Sequence, residues 1–501
     1  MLAVLAVGLD ATVLSVALPT LADRLHASES DLQWFSSGYL LVLAAAMLPA
    51  GLLGDRIGRQ KVMAVALLLF ALASAGCALS RTPLEFIAAR LVLGLAGAPL
   101  IVMAISALAV LFSEEERPRA VGIWAAVNFV SLPIGPIVGG WLLTHAWWGW
   151  VFLMNVPVSL LGLLAVVVLV PDTRAAIRPG LDPIGVATSS LGLVGLTYGF
   201  IEAGSAGWTS LSALGPIVAG VVLLLVFGRW ELVLGRSPGG RPLVDLKLFR
   251  SRGFSAGLAL MTLAGVTMVG AIFTLPQYFQ GVVGTDPMGS GLRLLPLIGG
   301  LVLGAVPGRR VTAWVGPRAA TGLGFALLAG GLALGSTTTR GSSLGFVAGW
   351  MAISGLGLGL VLVPVAAAAI GTMEKESSGV TGGVFQAVQK MGAPLGAAVF
   401  GSVVSTGYLG QLHLVGLPAA VAGTVRGSLF GGIAVARRLA SDSLLHQVDQ
   451  GFVHGMDAAL LLAAAMAGAG LVLALVVMPA RAPTREDASG GSPAVNPAAS
   501  V

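Results

Sequence analysis

Charge is what this sequence has least of. Only 10% of its 501 residues are Asp, Glu, Lys or Arg, where a soluble globular chain carries about 25%. Most of the chain therefore does not face water. Lysine is scarcest among the charged types, with Lys61, Lys247, Lys375 and Lys390 alone, so nearly all positive charge is Arg. Cysteine is represented by Cys77 only, which excludes a disulfide framework and a cysteine metal cluster. No G-x-x-x-x-G-K-[ST] occurs, so nothing in the sequence points to ATP as a driving force.

Apolar residues fill the space that charge leaves. They make up 56% of the chain and recur in runs of about 20, the length that crosses a bilayer as helix. Glycine is abundant, with 71 residues, as suits membrane helices that approach closely through small side chains. The 26 prolines predict kinked or broken helices. Fourteen spans are predicted, at 2–21, 34–53, 62–80, 84–111, 120–143, 149–170, 184–203, 213–231, 254–277, 288–306, 318–335, 343–370, 380–405 and 452–478. The first run has no basic segment before it and is interrupted by Asp10, so it reads as an uncleaved span and not as a cleavable leader.

An even number of spans puts both termini on one side. Of the 28 basic residues, Arg24, Arg81, Arg340, Arg426, Arg437 and Arg438 then fall on one side, Arg90, Arg293 and Lys390 within spans, and the remaining 19 on the other. The basic-rich side is cytoplasmic, which places both termini in the cytoplasm. Arg in place of Lys, together with so much Ala, Gly and Val, suggests a GC-rich bacterial genome, and hence a bacterial inner membrane. The net charge of +6 is spread between spans and forms no single patch, so nucleic acid is not an expected partner; the bilayer and a small molecule are, with the chain acting as a monomer. The five His residues, His26, His145, His413, His446 and His454, all fall in or near external segments. No buried catalytic set or metal site is visible, which weighs against a membrane enzyme.

The chain divides into a six-span unit at 1–170, two inserted spans and a basic linker at 171–253, and a second six-span unit at 254–478. A long external loop at 406–451, with a mixed polar pattern and some helix expected, lies inside the second unit, and an Ala/Pro/Ser/Gly-rich tail at 479–501 is predicted to be disordered. Segments 51–61 and 308–318 sit at corresponding places in the two halves and end their spans with Gly and basic residues, as in transporters built from repeats.

Four motifs carry the chemistry. The first is GLLGDRIGRQK from Gly51 to Lys61, with Gly54, Asp55, Arg56, Gly58 and Arg59 at fixed spacing; Gly58 permits a tight turn. It resembles the G-x-L-x-D-R-x-G-R loop signature of the major facilitator superfamily. The second is SLPIGPIVGG from Ser131 to Gly140. With Gly135, Pro136, Gly139 and Gly140 it is similar to the antiporter motif G-x-x-x-G-P-x-x-G-G, departing at Ser131 and in the extra Pro133. The third, LDATVLSVALP from Leu9 to Pro19, resembles the first-span signature of fourteen-span drug:proton antiporters, with Ser15 where Asn is common. It places Asp10 about 13 Å along a helix from Met1, near mid-membrane, where an acid marks a functional site. The fourth is Arg90 in FIAARLVLGLAGAPL, with Gly94 and Gly97. Its depth lets it approach Asp10, and an Arg beside an Asp favours the ionised acid until the two move apart.

With WGWVFLMNVP, LVDLKLFRSRGFSAG and GGVFQAVQKMGAPLGAAVFGS, these motifs identify the chain as a member of the drug:proton antiporter-2 group. The resemblance implies an all-α membrane protein of the major facilitator fold, two six-helix bundles plus two inserted helices. It implies export of a small amphipathic drug or antibiotic by alternating access, with protons as the coupling ion, Asp10 and Arg90 as the proton-coupling pair, and no other cofactor. The 51–59 segment would control the conformational switch. Aromatic and amide side chains are the candidate substrate contacts: Trp34, Tyr39, Trp124, Phe129, Phe273, Gln277, Phe385, Gln386 and Gln389, with Lys390 near mid-bilayer. A cation at that depth disfavours dicationic substrates. A proton-coupled importer of a small metabolite is the remaining alternative, against which the antiporter motif argues.

Overall fold

A computed structural model describes residues 2–111, 116, 134–172, 182–237, 242, 251–371, 378–414 and 417–479. Among them there is no β-strand. The helices are α1 (Leu2–Arg24), α2 (Glu29–Ile57), α3 (Arg59–Leu79), α4 (Pro83–Leu111), α5 (134–145), α6 (Trp150–Leu153), α7 (Asn155–Leu169), α8 (Pro183–Ala206) and α9 (Leu211–Leu234). The second half adds α10 (Arg252–Gln277), α11 (Pro287–Arg293), α12 (Leu295–Val315), α13 (Pro317–Gly335), α14 (Leu344–Gly371), α15 (Ser378–Gly410), α16 (Ala419–Gly427), α17 (Leu429–Arg438) and α18 (Asp442–Val477). Eleven spans among the described residues are long and apolar enough to cross a membrane. The 29-residue α2 and the 33-residue α15 pack among them.

The helix starts follow from local chemistry. Ser28 and Asp31 form a reciprocal capping box at α2. Ser210, Ser251 and Ser441 cap α9, α10 and α18, while Asp182 and Asp286 cap α8 and α11 just ahead of Pro183 and Pro287. The end of α10 carries Pro276 and passes into a single π turn, Tyr278–Val282, an irregularity that frequently marks functional positions.

Two apolar cores form, one for each half. The first gathers α1 to α4, α6 and α7 around Phe35, Phe70, Phe86 and Phe152. The second gathers α10 and α12 to α18 around Phe325, Trp350, Phe400 and Phe452. In the second half α12 and α14 meet backbone to backbone: a Cβ at Gly355 would strike the Leu297 carbonyl, and one at Gly359 the Leu301 carbonyl, the close approach that small residues allow. The pair α8–α9 lies beside the junction. α8 packs against both α2 and α15, while α9 is mostly exposed and faces lipid.

The helices run between two faces. Arg24, Glu29, Gln277, the 336–343 turn and Gly410 lie on one, the Arg24 face; Gly58 lies on the other. Met478 and Pro479 share the Gly58 face with the α12–α13 turn, where Arg318 Nε donates to the Met478 carbonyl at 2.8 Å. The segment predicted as an external loop, 406–451, is largely helical. α15 runs to Gly410, α18 begins at Asp442, and α16 and α17 lie between. α17 buries Leu429, Gly432, Ile433 and Ala436, and Phe430 touches both cores. The predicted tail and basic linker lie almost wholly outside the described residues.

Candidate functional site

The first half holds a charged centre buried within the protein. Asp10 on α1 and Arg90 on α4 are each 1% exposed. Arg90 Nη1 donates to Asp10 Oδ2 at 2.5 Å, and Asn155 Nδ2, from the first turn of α7, donates to Asp10 Oδ1 at 3.2 Å. Arg90 Nε donates to the Phe35 carbonyl at 3.1 Å, and the guanidinium lies 4.2 Å from the centre of the Tyr39 ring. Both carboxylate oxygens and two faces of the guanidinium are thus engaged, as burial of an ion pair requires. Gly94 lets α4 approach: a Cβ there would meet the Tyr39 backbone oxygen. The Tyr39 hydroxyl and the Asn155 Oδ1 have no hydrogen-bond partner, so the network has two polar positions left for a proton or water.

The antiporter-like motif lies where the halves meet. Ser131 and Pro133 fall outside the described residues. Gly135 and Gly139 press on α1, where a Cβ on Gly139 would lie 3.2 Å from Val13 Cγ1. Gly140 presses on α11 of the other half, where a Cβ would lie 2.7 Å from Met288 Cα. The Pro136 carbonyl in turn faces Gly291. The motif therefore wedges α5 between α1 and α11.

Hydrogen bonds between the halves run from the Arg24 face to mid-depth. Gln280 Nε2 donates to the Val16 carbonyl at 2.9 Å, Gln277 Nε2 to Glu29 Oε1 at 3.5 Å, and Ser37 Oγ to the Pro394 carbonyl at 3.2 Å. A Cβ on Gly401 would crowd Gln33, which shows how closely α15 approaches α2 there. The molecule is closed at the Arg24 face.

The Gly51–Lys61 motif was read as a loop, but only Gly58 is non-helical; Gly51 to Ile57 complete α2 and Arg59 starts α3. No residue before Gly58 breaks the helix, and Gly58, with φ 124°, makes the whole turn. Gly54 packs against Met103 of α4. Arg56 is exposed and Arg59 half-buried. Lys61 Nζ lies 3.6 Å from Asp172 Oδ2, and Asp172 also crowds Gly58. Asp55 occupies the last turn of α2; its side chain is outside the described residues.

The residues read as substrate contacts do not form one group. Trp34 faces sideways onto Tyr198 of α8, with ring centres 6.3 Å apart. Tyr39 lies under Arg90 inside the first half. Phe273 and Gln277 sit at the junction of the halves. Trp124 and Phe129 lie outside the described residues, as do the side chains of Phe385, Gln386, Gln389 and Lys390 on α15. Asn155, within WGWVFLMNVP, is a member of the centre that carries no charge; its signal in the sequence is an amide among apolar residues. Gln280, Glu29 and Gln33, which carry no motif in the sequence, join Gln277 at the junction of the halves.

The sequence matches the Major Facilitator Superfamily over residues 1–397. The chain belongs to that superfamily. Among curated relatives of this superfamily member is the tetracenomycin C resistance and export protein of Streptomyces glaucescens, 36% identical over 404 residues, covering 80% of this chain and 74% of that one. Another is the methyl viologen resistance protein SmvA of Salmonella typhimurium, 31% identical over 447 residues and covering 86% and 87% of the two chains. A solved bacterial homologue of the human lysosomal transporter Spinster, inward-facing and unoccupied, superposes with a TM-score of 0.65 at 17% identity, covering 96% of this chain and 97% of its own. That likeness concerns the fold, which is the all-helical major facilitator fold of a multi-pass membrane transporter.

Proposed function

We propose that this transporter exports a small amphipathic drug or antibiotic in exchange for protons. The observation that carries the reading is the buried Asp10–Arg90–Asn155 centre on α1, α4 and α7, inside a chain whose relatives confer antibiotic and methyl viologen resistance. When Arg90 holds Asp10, the pairing favours the ionised carboxylate and balances its charge. When helix movement parts them, Asp10 is left with its own charge in an apolar setting and takes a proton. Proton uptake and helix position are therefore coupled through one ion pair.

The distribution of basic residues makes the Arg24 face external and both termini cytoplasmic. On that orientation the arrangement is closed to the outside. Outward opening has to part Gln280 from Val16, Gln277 from Glu29, and Gly140 from Met288. The helix that ends at residue 145, α2 and α15 complete a set of fourteen spans in a bacterial inner membrane, working as a monomer. The test is a resistance profile in a pump-deficient bacterial host, followed by transport of the exported compound into inverted membrane vesicles. Accumulation that collapses when a protonophore is added supports the reading. Accumulation that persists under the protonophore contradicts proton coupling, and compound movement only in the opposite sense makes the chain an importer.

A further inference from the structure

The second half carries a polar stripe that the ion pair of the first half does not use. On α18, His446, Asp449, Gln450, Val453, His454 and Asp457 recur at i, i+3, i+4, i+7, i+8 and i+11, one face of a helix. They line a cavity of about 440 Å³ together with Thr339, Arg340 and Gly341 of the α13–α14 turn. The cavity grades from wet to dry. His446, Gln450 and His454 are exposed, Asp457 is half-buried, and Asp449 is only 3% exposed. Arg340 Nη1 binds Asp449 Oδ2 at 3.0 Å and is itself half exposed. The other oxygen of Asp449 has no hydrogen-bond partner, and neither does Oδ1 of Asp457. Two buried acceptors thus line the cavity with no protein donor on them and can accept from a ligand.

The charge balance defines what fits. Asp449 and Asp457 bring two negative charges and Arg340 returns one. By formal charge, with His counted as neutral, the net is a single negative charge. Arg437 of α17 acts on Asp449 from the side, and Tyr278 of the π turn stands within electrostatic reach of both Asp457 and Arg293 of α11. Arg293 is turned toward the Phe279 ring, 5.8 Å from its centre. No group of three or more His, Cys, Asp or Glu among the described residues is arranged to hold a metal ion. The volume lies in the range of small-molecule sites and is far larger than a bare ion.

We infer that this cavity at the Arg24 face is a binding site for an organic monocation, whose ammonium group is held by Asp457 and the free oxygen of Asp449. The ammonium belongs either to a free amphiphile or to a phosphatidylethanolamine headgroup, since the site opens beside the membrane-spanning part of α18. The site is separate from the Asp10 centre and stands whether or not the chain couples transport to protons.

Binding of benzyltrimethylammonium to the purified full-length protein tests it, by calorimetry in detergent and in nanodiscs with or without phosphatidylethanolamine. The wild type is expected to bind it and to ignore uncharged benzyl alcohol. Asp457→Asn is expected to weaken binding about tenfold or more, and Arg340→Gln, which removes the competing cation, to tighten it. Phosphatidylethanolamine that competes marks the lipid headgroup as the source; absence of competition marks the free amphiphile. Equal affinity in wild type and Asp457→Asn, weakening in both variants together, or equal binding of benzyl alcohol overturns the proposal. Thermal unfolding of each variant separates loss of the site from loss of the fold.

Discussion

Asp10 and Arg90 are each fully surrounded by protein, so each depends on the other in a way that surface charges do not. Removing one partner from a buried pair leaves an uncompensated charge and costs about 3–5 kcal/mol, whereas removing both can be close to neutral. Asp10→Asn and Arg90→Gln are therefore each expected to lower the thermal unfolding temperature of the purified protein. The double variant is expected to recover most of that loss while remaining uncoupled. A double variant that loses the sum of the two single effects would mean that the residues do not act as a pair. The acid and the base were legible because each sits alone in an apolar run at a depth that brings them level. Asn155 was not, because a neutral amide in WGWVFLMNVP carries no charge to flag it. Asp457 was missed because it precedes a long apolar run and reads as the edge of a span. Its stripe appears only when His446 to Asp457 are counted at helical spacing, and the Arg340 that faces it comes from another helix pair.

Elements were legible where apolar runs are long and their ends are marked by Gly, Pro or Ser. The 51–61 stretch misled because its polar residues suggested a loop, while the backbone needs only Gly58 to turn. Gly58→Ala places a side chain at φ 124° against Asp172, a strain of about 1–3 kcal/mol. It is expected to slow transport with little change in equilibrium substrate affinity, measured by initial rates against binding on the same preparation. A large loss of affinity at normal turnover would count against a role for this turn in switching. Gly140 is the corresponding lever at the other face. Gly140→Val drives a branched side chain into Met288 and is expected to disfavour the closed Arg24 face. The check is labelling of a cysteine introduced at Gln33, which should react faster with an external reagent in the Gly140→Val background; Cys77 is buried and contributes little. Unchanged labelling would show that α5 and α11 do not gate that face. Substrate contacts were the least legible element property, because Trp34 and Tyr39 lie on one helix five residues apart and point to different neighbours, Tyr198 and Arg90.

At the scale of the whole molecule, two cores are joined on the Arg24 face and coupled through α1. That helix carries Asp10 toward Arg90, Val13 against Gly139, and Val16 under Gln280, so movement of one helix registers at the ion pair, the motif and the closed face together. The central claim is that proton movement passes through Asp10 whenever substrate moves. The direct measurement uses liposomes loaded with a pH-sensitive dye and reconstituted with wild type or Asp10→Asn, to which a compound exported in the resistance profile is added. The account predicts a substrate-dependent proton flux in the wild type. It predicts none in Asp10→Asn, even where that variant still exchanges labelled for unlabelled compound. A proton flux of wild-type size in Asp10→Asn would contradict it.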